Sequence, residues 1–412
     1  MRFLFVHQNF PGQYRHLAPA LADNPEHHVV AIGDKANIHR AQGLHPRLHL
    51  YAYPSPPGAG PGGHHYLRST ESAVRRGQAV VRAALELKSK GFIPDVIYAH
   101  PGWGEALFLR DAFPDARLVL FLEFYYRARG SDMHFDPEFP ASFDDDCRVR
   151  VRNAPQLISL EAADAAISPT QWQRSQYPAM VQDKISVIHD GVNTDVVCPG
   201  PVASFQLPGG ATLRSGDEVI TYVARNLEPY RGIHQFLRAL PEILAARPQA
   251  QVLVVGGDEV SYGRPPPQGE TYRSLYMKEL AGKVDAGRIH FLGKLPYEQY
   301  LQVLRLSSAH VYLTYPFVLS WSMLEAMACG CLLIGSRTAP VTEVLEHGRN
   351  GLLVDFHSPA DIAKTVIGAL ERPQETVPLR QQARLDVQTH FDLNRVCLPR
   401  LKAFIEGQSP AA

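Results

Sequence analysis

The sequence contains little cysteine, with only five residues in a chain of 412. The number is odd and the positions are scattered, which argues against a disulfide framework and favours a reduced compartment. Cys329 and Cys331 are close together, but a Cys-x-Cys pair with no third or fourth ligand nearby is typical of small buried residues. We therefore expect no metal centre.

An excess of charge of either sign is also missing. Lysine and arginine total 41, aspartate and glutamate total 41, and the formal net charge is zero. Proteins that bind nucleic acid usually carry a basic patch. The composition gives no indication of a nucleic-acid partner.

Long hydrophobic runs are absent from the sequence. Before His7 the chain offers only the apolar stretch FLFV, which is shorter than the core of a signal peptide. No run reaches the ~18 apolar residues that a membrane span needs. We expect a soluble cytoplasmic protein, and peripheral contact with a membrane stays open.

The glycine fingerprint of dinucleotide-binding proteins, GxGxxG, does not occur at the first strand-to-helix turn. That turn reads NFPGQY and contains the single Gly12, which would let the backbone approach a ligand. One glycine is weak evidence for a phosphate site. A nicotinamide cofactor is disfavoured, and we expect no cofactor.

The sequence does contain two series of short apolar strands that alternate with amphipathic segments. This pattern predicts an α/β fold with two doubly wound, Rossmann-like domains, each a parallel sheet covered by helices. We expect an N-terminal domain over residues 1–195, a C-terminal domain over 215–388, and a last helix over 389–412 that crosses back. Ligands should bind at the carboxyl ends of the strands, in the cleft between the domains.

Two arginines flank a strand-to-helix turn in the segment VARNLEPYRGIHQFL. Arg225 ends the strand and Arg231 precedes the helix. Guanidinium groups present planar sets of donors that suit a diphosphate. The alternative is a pair of solvated surface arginines.

The stretch YPFVLSWSMLEAMACG predicts a loop with apolar residues that leads into a helix. The amino end of a helix exposes unpaired N–H groups and favours phosphate. Glu325 lies about one turn inside this helix, where its carboxylate could accept two vicinal hydroxyls such as those of a ribose. The alternative is a first-turn acid that only favours the helix dipole.

Three consecutive acids, Asp144, Asp145 and Asp146, could be mistaken for a metal site of the Asp-x-Asp kind. They lie in a polar stretch rather than at a strand end. An acidic cluster that begins a helix is the better interpretation.

Taken together, these motifs resemble the family 4 retaining glycosyltransferases, which have the GT-B architecture. The segments PYRG, LEAMACGCLLIGS and VTEVLEHGRNGLLVD resemble the C-terminal domain of that family, and HQNFPGQYRHLAPAL resembles its first strand and glycine loop. HFDPEFP and FLEFYY resemble one bacterial subgroup. The resemblance covers nearly the whole chain.

The resemblance implies roles for particular residues. Arg225 and Arg231 would neutralise the donor diphosphate, and Glu325 would hold the ribose. The backbone near Leu295 would meet the base, and Gly12 would approach the phosphates.

The chain departs from the family at an acid that normally precedes Glu325 by eight positions and contacts the sugar. Phe317 stands there, so the Glu-x7-Glu motif lacks its first acid. The loop from Phe317 to Ser320 would still present backbone N–H groups to the donor.

A second departure concerns the acceptor side. Glu123 stands where many members have a histidine, and His100 ends another predicted strand. Either side chain could orient the acceptor. The alternative for His100 is a packed or capping residue.

These expectations describe a retaining, metal-independent glycosyltransferase that moves a hexose-type sugar from a nucleotide-diphosphate donor to an unidentified acceptor hydroxyl. Two alternatives stay open. One is a nucleotide-sugar-binding protein without catalysis, and the other is a hydrolysing nucleotide-sugar epimerase of the same fold.

Overall fold

Two parallel β-sheets organise the chain in the computed structural model, which describes residues 1–202 and 204–408. One unit contains Met1–Gly191 and the residues from Asn394 onward, and the other contains Val192–Leu393. The predicted α/β class, with two doubly wound Rossmann-like domains, is confirmed.

The first unit is built on one sheet whose paired strands are all parallel. Its strands are β1 Arg2–Val6, β2 His28–Asp34, β3 Leu48–Tyr53, β4 Val96–Ala99, β5 Arg117–Phe121, β6 Ala165–Ser168 and β7 Ile185–Val187. Their order across the sheet is β3-β2-β1-β4-β5-β6-β7. The reversal between β1 and β4 is typical of doubly wound folds.

Helices bury both faces of this sheet. They are α1 Leu17–Ala22, α2 Arg68–Ser89, α3 Leu109–Ala112, α4 Phe143–Arg152, α5 Ala154–Ala162, α6 Gln171–Gln176 and α7 Ala179–Gln182. Along β1, Phe3 and Phe5 enter one core cluster, whereas Leu4 and Val6 enter the other. Burial on both faces explains why the strand is apolar throughout rather than alternating.

The second unit repeats this plan. Its strands are the short hairpin β8 Phe205–Gln206 and β9 Thr212–Leu213, followed by β10 Val219–Asn226, β11 Gln251–Gly257, β12 Ile289–Gly293, β13 Ala309–Tyr312, β14 Leu333–Ser336 and β15 Leu352–Val354. Strands β10 to β15 form a parallel sheet in the order β12-β11-β10-β13-β14-β15.

The helices of the second unit are α8 Ile233–Ala246, α9 Tyr272–Glu279, α10 Tyr297–Leu306, α11 Trp321–Ala328, α12 Ala339–Thr342, α13 Pro359–Glu371 and α14 Val377–His390. In α8, buried apolar residues recur at intervals of three and four, at Ile233, Phe236, Leu240, Ile243 and Leu244. This spacing places them on one stripe that packs on the sheet.

The segment expected to separate the domains belongs to the second unit. The boundary falls between Gly191 and Val192, earlier than the expected linker over residues 195–215. Val202, Phe205, Leu207 and Leu213 are buried in a core cluster with Val219 of β10. These apolar side chains, among many turn residues, explain why the segment packs instead of forming a linker.

The chain returns to the first unit at Asn394. The sequence predicts that this crossing segment begins at residue 389. Its last helix, α15 Leu398–Ile405, buries Leu401 and Ile405 in the first unit's core. Arg117 Nη1 donates to the carbonyl oxygens of Phe404 at 2.8 Å and Ile405 at 3.1 Å.

None of the helices in residues 1–202 and 204–408 combines the length and the apolar character needed to cross a membrane.

Candidate functional site

In the second unit, a tight turn leads from β10 to α8 and carries Arg231. Residues Pro229–Arg231 form a single 3-10 turn, and Gly232 follows with φ 70°. A Cβ atom at Gly232 would lie 2.5 Å from Cβ of Leu313. Glycine is required here both by the left-handed backbone and by this close approach.

Arg231 is buried, with 6% of its surface exposed. Its Nη1 donates to Thr314 Oγ1 at 2.9 Å, to the carbonyl oxygen of Val318 at 3.0 Å and to the hydroxyl of Tyr312 at 3.3 Å. A buried guanidinium needs such partners to offset its lost hydration. Burial acts to lower the pKa of Arg231, but the neighbouring Tyr312 and Tyr262 outweigh it and raise the pKa, so the charge persists.

Phe317 forms an aromatic wall beside this charge. Its side chain is buried, and its ring centroid lies 4.8 Å from that of Tyr262 and 5.5 Å from that of Tyr230. The guanidinium carbon of Arg231 lies 5.9 Å from the Phe317 centroid and 5.6 Å from the Tyr262 centroid. Rings therefore occupy the position where the family resemblance leads one to look for an acid.

Ser320 connects the same loop to α11. Its side chain caps the helix by accepting from the Ser322 N–H at 3.4 Å, and its own N–H donates to the hydroxyl of Tyr312 at 2.9 Å. Tyr312 thus joins Arg231 to the amino end of α11. The structure brings Arg231, Phe317 and Ser320 into one cluster.

Glu325 lies one turn into α11 and is half-buried. Its Oε1 accepts from the hydroxyl of Tyr297 and its Oε2 from the hydroxyl of Tyr300, each at 2.7 Å. A carboxylate that receives two hydroxyls, one per oxygen, has the acceptor geometry that vicinal hydroxyls of a ribose require. Leu295, two residues before Tyr297 in the turn between β12 and α10, packs partly buried against the core.

Arg225 behaves differently from Arg231. It lies at the end of β10, where the pairing with β11 shifts register between Val223 and Asn226, and its side chain is exposed. The pKa of Glu259 is lowered mainly by a hydrogen bond to Lys294 and in part by the charge of Arg225. In the described part of the chain, Arg225 shares none of Arg231's hydrogen-bond partners.

Sequence reasoning missed Glu228, which lies between the two arginines. Its buried carboxylate accepts three backbone N–H groups, from Ser261 at 3.0 Å, Tyr262 at 3.0 Å and Gly263 at 2.9 Å. This anchor fixes the loop after β11 and holds Tyr262 against Arg231. The sequence signal for Glu228 was an acid between two apolar residues, Leu227 and Pro229, within the segment that carries the two arginines.

In the first unit, Gly12 lies in the turn after β1 with φ 45°. A Cβ atom there would lie 2.8 Å from Cε1 of His7. Packing against His7 is thus enough to require glycine at this position.

The same turn begins a hydrogen-bonded chain that ends at Glu123. The Asn9 N–H donates to His7 Nδ1 at 2.8 Å, which places the histidine proton on Nε2. That nitrogen lies 2.8 Å from Gln13 Oε1, and Gln13 Nε2 donates to Glu123 Oε1 at 3.1 Å. Burial, and then the neighbouring His100, lower the pKa of His7 well below its usual value, which keeps it neutral.

His100 approaches the other oxygen of Glu123. The Gly102 N–H donates to His100 Nδ1 at 3.1 Å, so its Nε2 carries the proton and lies 3.5 Å from Glu123 Oε2. The ring of Trp103 stacks on His100, with centroids 4.5 Å apart. Glu123 keeps 34% of its side-chain surface exposed. The arrangement orients one accessible carboxylate, which can accept a hydrogen bond from a hydroxyl group.

The structure therefore unites two predicted residues, Glu123 and His100, and adds His7, Gln13 and Trp103, which were not predicted. The signals were the polar residues of HQNFPGQ directly after β1 and of HPGW directly after β4. Both segments follow neighbouring parallel strands, so they meet at one sheet edge.

The three consecutive acids begin a helix, as expected. Ser142 caps α4, and Asp145 completes the capping box. Asp144 accepts from the hydroxyl of Tyr66, and Asp146 lies 2.7 Å from His134 Nε2.

Comparison with known proteins assigns both units. Residues 25–197 match the model of the glycosyl transferase family 4 group, and residues 209–386 match that of glycosyl transferases group 1. The chain belongs to glycosyltransferase family 4 and has the GT-B fold.

Curated glycosyltransferases are similar to this chain over part of their length. The chain is 30% identical over 200 residues to the D-inositol 3-phosphate glycosyltransferase of Corynebacterium efficiens, covering 46% of this chain and 45% of that protein. It is 28% identical over 153 residues to an uncharacterized glycosyltransferase of Methanocaldococcus jannaschii, covering 37% and 36%. The chain spans about half the length, or less, of these curated relatives.

Two solved structures share the fold. HepE of Anabaena in complex with UDP has a TM-score of 0.69 at 18% identity, covering 99% of this chain and 100% of that one. Sucrose-phosphate synthase of Thermosynechococcus elongatus has a TM-score of 0.73 at 20% identity, covering 98% of each chain.

Proposed function

We propose that the chain is a retaining, metal-independent glycosyltransferase, which moves a hexose-type sugar from a nucleotide-diphosphate donor to an acceptor hydroxyl and needs no cofactor. The observation that carries the proposal is Arg231, a buried guanidinium fixed by Thr314, Val318 and Tyr312 next to the amino end of α11. Fixed positive charge of this kind stabilises a leaving diphosphate without reorganisation during the reaction.

The donor would bind along the second unit. Arg231 and the N–H groups at the start of α11 would contact the diphosphate, and Glu325 would exchange its two tyrosine hydroxyls for those of the ribose. The exposed Arg225 would join only when the donor is bound. Solved structures of similar fold in complex with UDP and with UDP-glucose support a nucleotide-sugar donor.

The acceptor would use the first unit. Glu123, held by Gln13 and His100, would accept a hydrogen bond from the attacking hydroxyl and orient its oxygen. As the new glycosidic bond forms and the bond to diphosphate breaks, the hydroxyl proton would pass to the leaving phosphate oxygen. The products are the glycoside, with its anomeric configuration retained, and the nucleoside diphosphate.

A donor panel tests this proposal. UDP-, GDP- and ADP-sugars are incubated with the full chain, and nucleoside diphosphate release is measured with and without EDTA. We expect release from one nucleotide class, little effect of EDTA, and retained configuration by NMR once an acceptor is found. Loss of activity in EDTA that Mg²⁺ restores would overturn metal independence, and inversion would overturn retention.

Phe317 favours one second candidate, a nucleotide-sugar-binding protein without turnover. A buried phenyl ring stands where the resemblance leads one to look for the acid that contacts the sugar. Donor binding measured by calorimetry, with no release of nucleoside diphosphate for any acceptor tried, would support this candidate. Free sugar in amounts equal to the nucleotide, with no acceptor needed, would instead indicate hydrolytic epimerisation.

A further inference from the structure

A cavity lies in the first unit, outside the cluster around Glu123. Its volume is about 570 Å³, and its walls include Tyr125, Arg129, Phe143 and Arg150. One wall is the segment after β5, and the other is α4. Its lining residues all belong to the first unit.

Two arginines of this cavity, Arg129 and Arg150, have guanidinium groups that are available to a ligand. In residues 1–202 and 204–408, neither Arg129 nor Arg150 makes a hydrogen bond or ion pair. The other arginines nearby are engaged. Arg127 donates to the carbonyl oxygen of Gln176 at 2.8 Å, and Arg152 donates to the hydroxyl of Tyr126 at 2.8 Å.

The acids near the cavity do not neutralise these two charges. Asp146 lines the cavity but pairs with His134 at 2.7 Å. Asp145 pairs with Arg148 and caps α4. The exposed Arg129 and Arg150 therefore leave the cavity with positive charge, and a concave surface lined mainly by one sign of charge attracts an anion.

The wall that faces Arg150 is both aromatic and rigid. Burial raises the pKa of Tyr125, and the charges of Arg127 and Arg150 oppose that rise, which places Arg150 near the phenol. The buried Asn153 fixes the wall by accepting from the Tyr126 N–H at 3.2 Å and donating to the Tyr126 carbonyl oxygen at 2.7 Å. The cavity thus combines two free guanidinium groups with a preorganised aromatic surface.

The wall is continuous with the acceptor cluster. Glu123 precedes Tyr125 by two residues, so their Cα atoms lie at most ~7 Å apart. Gln173 holds the carbonyl oxygen of Glu123, and Gln156 holds that of Phe124 at 3.1 Å. Glu123 and the cavity wall are thus close along the chain, as a single acceptor that contacts both would require.

We infer that this cavity binds the phosphate group of a phosphorylated acceptor, with Arg129 and Arg150 as its ligands and Tyr125 against the adjoining carbon skeleton. Guanidinium groups match phosphate oxygens in pairs. The inference rests on the proposed function, because it names the class of acceptor for the same reaction.

Binding is measured first without any donor, so that the result does not depend on turnover. The full chain is titrated calorimetrically with D-inositol 3-phosphate, with glucose 6-phosphate and with each unphosphorylated parent. We expect at least one phosphorylated probe to bind and its parent to bind at least ~10-fold more weakly. Arg129→Gln and Arg150→Gln should each weaken binding ~10–100-fold, the range of charge-assisted hydrogen bonds.

Three controls make this test specific. Arg82→Gln removes an exposed arginine of α2 in the same unit and should leave affinity unchanged. Arg150→Lys keeps the charge but loses the planar donor set, so it should recover part of the affinity. Arg129 lies in a loop, and its variant remains informative if a change in α4 impairs folding.

Lipid and free sources of phosphate are separated by vesicles. Flotation with neutral phosphatidylcholine vesicles, with and without phosphatidylinositol, reports a phosphate carried by a lipid headgroup. Binding only to the phosphatidylinositol vesicles, and weaker in both arginine variants, supports a lipid acceptor. Binding only to the free phosphates supports a water-soluble one.

The inference is overturned if neither arginine variant lowers affinity below that of Arg82→Gln, or if the unphosphorylated parents bind equally well. Failure of this inference can be distinguished from failure of the proposed function. A chain that transfers sugar but shows no dependence on these arginines rejects the phosphate site alone. A chain that binds phosphate through them but releases no nucleoside diphosphate rejects the transferase alone.

Discussion

Arg231 donates from Nη1 to the hydroxyl of Thr314 across 2.9 Å, inside the second unit. This contact, with those to Val318 and Tyr312, fixes the position of a buried charge, and none of these three hydrogen-bond partners is an acid. Because the negative charge of a leaving diphosphate grows as the sugar departs, such a charge should act mainly in the transition state.

The first prediction follows for Arg231→Ala. Loss of charge-assisted hydrogen bonds worth ~1.5–3 kcal/mol should lower kcat ~10–100-fold. Arg231→Lys should recover part of the rate, because it keeps the charge but not the planar donor set. Steady-state kinetics with a saturating donor measure both values.

Arg214→Ala is the matched control, since Arg214 is exposed in the turn before β10. Its kcat should equal that of the wild type. Thermal unfolding must accompany the kinetics, because truncation of a buried arginine also removes packing. A rise in KM alone for Arg231→Ala would contradict a role in the transition state.

The second prediction concerns Glu228, which holds three backbone N–H groups of the loop after β11. Glu228→Gln keeps one acceptor oxygen and loses the charge, so this loop should open more often and Tyr262 should leave Arg231. We expect faster amide exchange at Ser261–Gly263 and a several-fold higher KM for the donor.

Glu242→Gln serves as the control for Glu228, because Glu242 is exposed on α8. It should change neither amide exchange nor KM. Unchanged exchange at Ser261–Gly263 in Glu228→Gln would show that the loop is held by other contacts.

The fold was predictable to a large extent, and the reason lies in periodicity. Strands buried on both faces, such as β1 with Phe3 and Leu4 in different clusters, are apolar throughout and stand out in the sequence. The hairpin of β8 and β9 was missed because Phe205 and Leu213 are isolated among turn residues, so neither shows a period.

Candidate site residues, whose roles stay predictions, were chosen from the sequence where a motif placed them near a strand end or the start of a helix. Arg231, Glu123 and His100 lie shortly after strands, Ser320 caps α11, and Glu325 lies one turn inside that helix. Glu228 and Gln13 act through contacts between segments distant in sequence, across intervals of 33 and 110 residues. No local pattern encodes such a contact, so only the three-dimensional structure identifies the partner.

The third prediction concerns the acceptor cluster in the first unit. Glu123→Gln preserves size but replaces the carboxylate, whose Oε1 accepts from Gln13 and whose Oε2 lies 3.5 Å from His100 Nε2, with a neutral amide that has one acceptor oxygen. We expect kcat/KM for the acceptor to fall ~10–100-fold, as the loss of a charge-assisted hydrogen bond worth ~1.5–3 kcal/mol would give, while KM for the donor stays unchanged. Both constants come from a two-substrate kinetic matrix.

Glu161→Gln, on α5 of the same unit, provides the control because Glu161 is exposed. Its kinetics should match the wild type. Should Glu123→Gln instead raise KM for the donor, the carboxylate would belong to donor binding.

The last prediction concerns stability and rests on Glu105, which lies fully buried in the first unit. Burial raises its pKa to about 7, although Arg76, with Nε 3.8 Å from Oε1, works against the rise. Its Oε2 makes no hydrogen bond within the described residues. The unfolded chain, with an ordinary pKa near 4.5, loses this proton at lower pH than the folded chain does.

The folded state therefore binds more protons than the unfolded state between these two values. The contribution of Glu105 to the free energy of unfolding is fully present below about pH 4.5. It falls by about 3 kcal/mol as the pH rises to about 7. Glu105→Gln removes the titration, so its free energy of unfolding should lose this part of the pH dependence and exceed the wild-type value at pH 8. Urea unfolding at several pH values measures both curves, with Glu86→Gln on the exposed face of α2 as control. Parallel curves for Glu105→Gln and the wild type would show that Arg76 keeps the carboxylate ionised throughout.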